Sequence, residues 1–369
     1  MSPEEMLEKL VAFKSVVGQT NRPLIDFVAS WLGSHGIEAK VMPGPEGDRY
    51  NLFATIGPSD RRGYILSGHT DVVPAGEPEW QADPFVLRRR DDRLIGRGAC
   101  DMKGFVAAVL AAVPELVRLK LETPIHIALS YDEEAGCHGV PHLIARLPAL
   151  CPPPLGCIVG EPTGLRPVLR HKGKASIRLA ARGRSGHSSR PDLGDNAIHK
   201  LAPALSAAVA QAAALRDGTQ DFLFEPPYSS LQVGTITGGQ AINIIPDFAE
   251  ARIEARAIAG VDPESLLEPV RAAAGEDVTV ELLSSYPALS LDKASPLAAL
   301  AADISGKPPV GAVSFGTEGG LFQAAGIASV ICGPGDIDRA HKPEEYLTRD
   351  ELNGACDMIS RLGQKLSAG

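Results

Sequence analysis

Four short segments of this chain end in the same unusual way. "YILSGHTD" (64–71), "PIHIALSYDEE" (124–134) and "GCIVGEPT" (156–163) pass directly from apolar, strand-forming residues into imidazole or carboxylate. The fourth, "RLIGRGAC" (93–100), delivers Asp101 at the start of an apolar helical stretch. Near-continuous apolar strands are buried on both faces, as in a largely parallel sheet covered by helices. Such a sheet gathers ligands outside the carboxyl ends of its strands. The repeated ending therefore predicts an α/β fold and a polar cluster along one rim of its sheet.

The segments between these strands have helical spacing. "RPLIDFVASWLGSHG" closes at Gly36, and "MKGFVAAVLAAVPEL" is apolar on most faces, so it is predicted to be a buried helix. Ser2-Pro3-Glu4-Glu5 reads as a capping box with proline at the first helical position. Near residue 173 the pattern changes. "KASIRLAARGRSGHSS", "LQVGTITGG", "FAEARIEARAIAG" and "VTVELLSS" alternate with period two, separated by an alanine-rich helix and the short helix "PESLLEPVRAAAG". Strand-helix-strand-strand-helix-strand predicts a smaller α+β, ferredoxin-like unit, with residues 175–181 and 249–258 able to expose a pairing edge. Residues 1–172 and 286–369 then form one discontinuous catalytic domain, and 173–285 an insertion within it. At 369 residues, two domains are the expected number.

A net charge of −9 speaks against a nucleic-acid or anionic-membrane footprint. No apolar stretch approaches the ~20 residues that span a bilayer. The charged, periodic first residues lack a signal-peptide core. Six scattered cysteines without a close CxxC pair read as reduced thiols. A cytoplasmic protein acting on a small molecule is expected.

The rim inventory comprises His69 and Asp71, Asp101, Glu133 and Glu134, Glu161, and His341 within "DRAHKPEEYL". Taken singly, Asp101 reads as a helix cap, the paired glutamates as solvated charge, and the His-x-Asp pair as structural. Repetition at four strand ends favours a common purpose. Two histidines with several carboxylates and no thiolate suit Zn²⁺, Co²⁺ or Mn²⁺. Five ligands exceed the needs of one open tetrahedral site, whereas a bridging carboxylate between two ions roughly 3.5–4 Å apart would use them all. Asp101 is the natural bridge, with His69 and Glu161 on one side and Glu134 and His341 on the other. Glu133 is left over. Asp71, two residues beyond His69 on an extended strand, is expected to share its face and accept its second ring N–H.

In order, "SGHTDVVPAG", "GRGACDMKGF", "SYDEEAGCHG", "GEPT", "GRSGHSSRP" and "AHKPEEYL" resemble the zinc-dependent amidohydrolases that include acetylornithine deacetylases, succinyl-diaminopimelate desuccinylases, carboxypeptidases and aminoacylases. Within that family "EPTGLRPVLRHKG", "EPPYSSLQVGTITGG" and "GTEGGLFQAAGI" are most similar to the acetylornithine deacetylases. The resemblance implies two Zn²⁺ ions, replaceable by Co²⁺ or Mn²⁺, held by His69, Asp101, Glu134, Glu161 and His341. It implies a cis peptide after Asp101, Glu133 as general base, and an inserted lid through which the chain dimerises. His187 matches a histidine that polarises the scissile carbonyl, and Asn243 and Arg256 match substrate contacts. Glu318, in the loop "GTEGG", offers a carboxylate to a substrate ammonium or else caps the helix after it. The activity implied is removal of acetyl from N2-acetyl-L-ornithine, with desuccinylation or hydrolysis of another N-acyl amino acid or dipeptide as the alternative.

Overall fold

The computed structural model describes residues 1–367, which divide into two compact units. The larger contains Met1–Leu169, Leu291–Gly311 and Thr317 onward. The smaller contains Arg170–Ser290 and also Ala312–Gly316. The sequence reading assigned those last five residues to the catalytic domain; the structure moves them to the insertion, where Val313 N–H bonds to the Arg170 carbonyl at 3.0 Å.

Among the described residues, the main sheet of the larger unit has six strands. Their order is Ala39–Pro43, Tyr50–Ile56, Ile125–Ser130, Tyr64–His69, Gly156–Pro162 and Ser329–Gly333. The last four are mutually parallel, and the first two form an antiparallel hairpin at one edge. Every residue of Ile125–Ser130, Gly156–Pro162 and Ser329–Gly333 is buried, as continuous apolar runs require. The helix Lys103–Arg118 buries most of its circumference, including Phe105, Val106, Val109 and Leu110, which explains its lack of a polar face. It lies between the sheet and the helices Pro3–Ala12 and Arg349–Leu366. The first of these begins with the capping box read from sequence: the Ser2 side chain accepts the Glu5 N–H, and Glu5 accepts the Ser2 N–H at 2.8 Å.

Close packing of the Lys103–Arg118 helix on the sheet depends on Gly160. A Cβ at this position would fall inside the Phe105 ring. The missing side chain lets the ring rest on the strand one residue before Glu161.

The smaller unit is a βαββαβ arrangement. Its antiparallel sheet has the order Ser230–Gly238, Phe248–Ala257, Gly173–Arg182 and Val278–Tyr286. Period-two alternation turns Ala175, Ile177, Leu179 and Ala181 into its core, together with Ala249, Ala251, Ile253 and Ala255. The helix Ala197–Arg216 covers them, capped by Asn196, whose side chain accepts the N–H groups of Ile198 and His199. Residues 175–181 and 249–258 were expected to expose an edge, but both belong to the central pair of strands. The edges are Ser230–Gly238 and Val278–Tyr286.

Gly160→Ala is expected to cost about 1–3 kcal/mol, because the added methyl must displace a buried ring. Thermal melting of the variant reads this directly, and an unchanged midpoint would show that the contact gives way freely.

Candidate metal centre

His69 is the last residue of its strand and is 1% exposed. Its Nδ1 lies 2.9 Å from the main-chain carbonyl of Asp71, so that nitrogen carries a proton and Nε2 faces the site. The partner expected from sequence was the Asp71 carboxylate. That group instead stands 3.6 Å from Nδ1 and accepts the backbone N–H groups of Glu133 and Glu134, each at 3.1 Å. The strand stops at His69, so alternation no longer dictates where residue 71 points. Asp71 thereby ties the loop of the two glutamates to the loop that follows His69.

Asp101 precedes a cis peptide to Met102. The following helix has Met102 at its N-cap and no side-chain capping bond, so Asp101 is not employed as a cap. Its Oδ1 lies 3.0 Å from His69 Nε2, and its Oδ2 lies 3.3 Å from His341 Nε2. His341 Nε2 is also 2.9 Å from Glu134 Oε1, and His69 Nε2 is 3.9 Å from Glu161 Oε1. Donor atoms of His69, Asp101 and Glu134 fall within 4.8 Å of one another, as do those of His69, Glu133 and Glu161. The structure thus brings all five expected ligands together, and it adds Glu133 at ligand distance.

The electrostatics of this cluster are severe. Burial pushes Glu133 up to about 8 and Glu134 up to about 7, with neighbouring carboxylates adding to both shifts. Glu161 is raised well above its ordinary value for the same reasons. Asp101 moves the other way: although burial opposes it, hydrogen bonds from His341 and His69 hold it well below the usual carboxylate range. Those to Asp101 and Glu134 raise His341 to about 10. Carboxylates removed from water need protons or cations to neutralise them. An all-nitrogen-and-oxygen donor set of this charge fits divalent ions such as Zn²⁺, Co²⁺ or Mn²⁺.

Glu318 has a different place from the one expected. It is 1% exposed, with Oε2 accepting from Ser67 Oγ at 3.2 Å and Oε1 from Ser130 Oγ. It makes no capping bond to the helix after it. Buried and held by these two serines, the Glu318 carboxylate is closed to solvent, and it stands near enough to Glu133 to help raise that carboxyl. The two serines were missed in the sequence, although each lies inside a quoted strand; their small polar side chains in apolar runs were the available signal. Cys137 was also missed as a neighbour of the site: its Sγ donates to Glu133 Oε1 at 3.4 Å. The six cysteines are all free, and burial raises the Cys100 thiol, which disqualifies it as a ready nucleophile.

In the smaller unit, His187 and Asn243 lie on adjoining loops. Residues 187 and 244 form a β-bridge, and Ser188 N–H bonds to the Asn243 carbonyl at 3.1 Å. His187 is exposed, and its Nδ1 accepts the Ser189 N–H at 3.2 Å, leaving Nε2 as the nitrogen that carries a proton. Arg256 is near the far end of Phe248–Ala257, about 25 Å along that strand from its start. There it contacts Glu254 at 2.7 Å and the Tyr286 hydroxyl at 3.4 Å.

Residues 65–365 match peptidase family M20/M25/M40. The chain is 32% identical to acetylornithine deacetylase of Photorhabdus laumondii over 373 aligned residues, covering 97% of this chain and 95% of the relative. It is 33% identical to acetylornithine deacetylase of Pasteurella multocida, covering 93% and 91%. Among solved structures, the M20 family metallo-carboxypeptidase Sso-CP2 of Sulfolobus solfataricus shares the fold with a TM-score of 0.82 at 20% identity, over 99% of both chains. Human carnosine dipeptidase 1 does so with a TM-score of 0.75 at 17% identity, over 99% and 97%. The chain belongs to peptidase family M20/M25/M40 and is a metal-dependent amide hydrolase. Its named curated relatives are acetylornithine deacetylases.

The raised carboxyls predict how the metal-free protein responds to pH. Glu133 and Glu134 ordinarily titrate at 4.5 and do so at about 8 and about 7 in the folded chain. Their contribution to stability is therefore full below 4.5 and lost as pH climbs through 7 to 8. Chelator-treated protein is expected to melt at lower temperature as pH rises from about 5 to about 8. Zn²⁺ should raise the melting point more at the higher pH, since ion and protons compete for the same oxygens. Thermal scans with and without Zn²⁺ check both trends.

Proposed function

We propose that this chain removes the acetyl group from N2-acetyl-L-ornithine, giving ornithine and acetate, as in arginine biosynthesis. The hydrolytic part rests above all on Asp101, whose two oxygens lie 3.0 and 3.3 Å from the two histidine nitrogens, as a carboxylate shared between ions would. His69, Asp101 and Glu161 would hold one zinc ion, and Asp101, Glu134 and His341 a second, with Co²⁺ or Mn²⁺ able to substitute. Bound there, the ions supply the charge that acidifies a water and polarises the amide carbonyl.

Glu133 accepts a proton from the attacking water and returns it to the leaving nitrogen as the C–N bond breaks. Its place beside the proposed ligands, with donor atoms within 4.8 Å of those of His69 and Glu161, suits both halves of that exchange. Asp71 holds the Glu133 backbone N–H and so positions the base. His187, whose Nδ1 is taken by the Ser189 N–H, would supply a donor from Nε2 for the carbonyl oxygen as that atom gains charge. Arg256 is the candidate for the substrate's carboxylate; Asn243, beside His187 at the other end of that strand, is a candidate for a separate substrate contact. Ornithine as the leaving amine is supported by the names of relatives aligned over more than nine-tenths of this chain. The ammonium contact once expected of Glu318 forms no part of the reading.

A homodimer through the inserted unit and a cytoplasmic location complete the proposal. Exposed Ile236 on the edge strand Ser230–Gly238 and the free cysteines favour them. Sedimentation checks the dimer.

Turnover of N2-acetylornithine, N-succinyl-diaminopimelate, neutral N-acetyl amino acids and dipeptides by metal-loaded protein tests the substrate. Highest kcat/KM on N2-acetylornithine is expected, and preference for the succinylated or dipeptide substrate would replace this reading. Glu133→Ala should lower kcat on the order of 10²–10⁴-fold while metal content stays that of the parent. Glu318→Gln should leave the preference for cationic over neutral side chains unchanged; collapse of that preference would return Glu318 to the substrate.

A further inference from the structure

Arg97 and Glu345 are each 1% exposed and form an ion pair of 2.9 Å between Nη1 and Oε2. Neither belongs to the ligand set. Glu345 Oε2 accepts the Gly98 N–H at 3.0 Å, and its Oε1 accepts those of Cys100 and Asp101 at 2.9 and 3.0 Å. The loop presenting Asp101 is therefore suspended from one carboxylate. The Arg97 guanidinium also donates to the Pro74 carbonyl at 3.3 Å, to Glu77 at 3.0 Å and to the Lys342 carbonyl at 3.4 Å. Pro74 lies in the loop leaving His69, and Lys342 adjoins His341. The backbone reinforces the link: Gly96 N–H bonds to the Glu345 carbonyl at 2.9 Å, and Tyr346–Thr348 pairs with Arg93–Ile95.

Stability alone is a poor reason for such a pair, because desolvation of two charges commonly cancels their attraction. What distinguishes it is where its hydrogen bonds end. They reach the loops of His69, Asp101 and His341, which are distant in sequence and must meet around the same ions. We propose that the Arg97–Glu345 pair is a positioning device that sets the spacing of these three ligands before metal arrives. It acts through the ligands' backbones and touches neither ion nor substrate. The inference rests on the metal-centre reading above.

The test uses the full chain, stripped of metal and titrated with Zn²⁺ or Co²⁺ by calorimetry and by Co²⁺ absorption. Glu345→Gln keeps the shape but sets an amide NH₂ against backbone N–H donors. Arg97→Lys keeps the charge and loses the fork. Each folded variant should bind metal tenfold to a hundredfold more weakly and show an altered Co²⁺ spectrum, with kcat recovered at high metal concentration. Asp26→Asn, which breaks the Arg22–Asp26 pair of the same unit, should bind metal as the parent does. Parent-like affinity and spectrum in folded Glu345→Gln and Arg97→Lys would overturn the proposal and leave the metal centre standing. If Glu345→Gln does not fold, Arg97→Lys decides by the same criterion. A parent that binds neither ion would instead remove the metal-centre reading itself.

Discussion

Negative charge gathered out of water is the constraint on which this molecule depends. Asp101, Glu133, Glu134 and Glu161 meet at one end of a buried parallel sheet, with two histidines as nearby bases. Low dielectric magnifies their repulsion, so the cluster holds protons or cations and does not exist bare. The surrounding groups serve that need. Asp71 braces the glutamate loop, Ser67 and Ser130 engage Glu318 underneath, and Glu345 gathers the N–H groups around Asp101. A parallel sheet suits the task because its strands deliver residues from remote parts of the chain to a common rim.

Much of this was legible because burial on both faces leaves a mark in the sequence. The runs ending at His69, Ser130 and Pro162 are apolar for packing reasons, and the polar residues after them stand out. Asp71 was misjudged because period two holds only within a strand, and the strand ended two residues earlier. Glu318 read as a loop carboxylate for a substrate ammonium or as a helix cap; only tertiary contact with two serines from other strands encloses it. Ala312–Gly316 carries no periodicity of its own, so nothing local marked its return to the insertion. Arg97 and Glu345 lie 248 positions apart, and no short-range pattern can announce such a pairing.

The smaller unit obeys a different rule from the larger one. Its strands are half-exposed, so alternation alone sets their register and inner face. Alanines dominate that face and allow the Ala197–Arg216 helix to lie close. What alternation could not supply was strand order, since each strand looks alike in sequence whether central or at an edge. The comparisons divide in a similar way. Sso-CP2 and human carnosine dipeptidase 1 share this architecture and bear peptidase names, while the relatives of Photorhabdus laumondii and Pasteurella multocida are named for deacetylation.

The two histidines also differ in shelter. The His69 side chain is 1% exposed, whereas that of His341 is 50% exposed. Ions held on these two sides would leave at unequal speeds, because water and competing chelators reach the open imidazole first. Were two ions bound as proposed, gradual demetallation would pass through a half-filled form that keeps its inner occupant, and a second element supplied at that stage would yield a mixed pair with a defined arrangement.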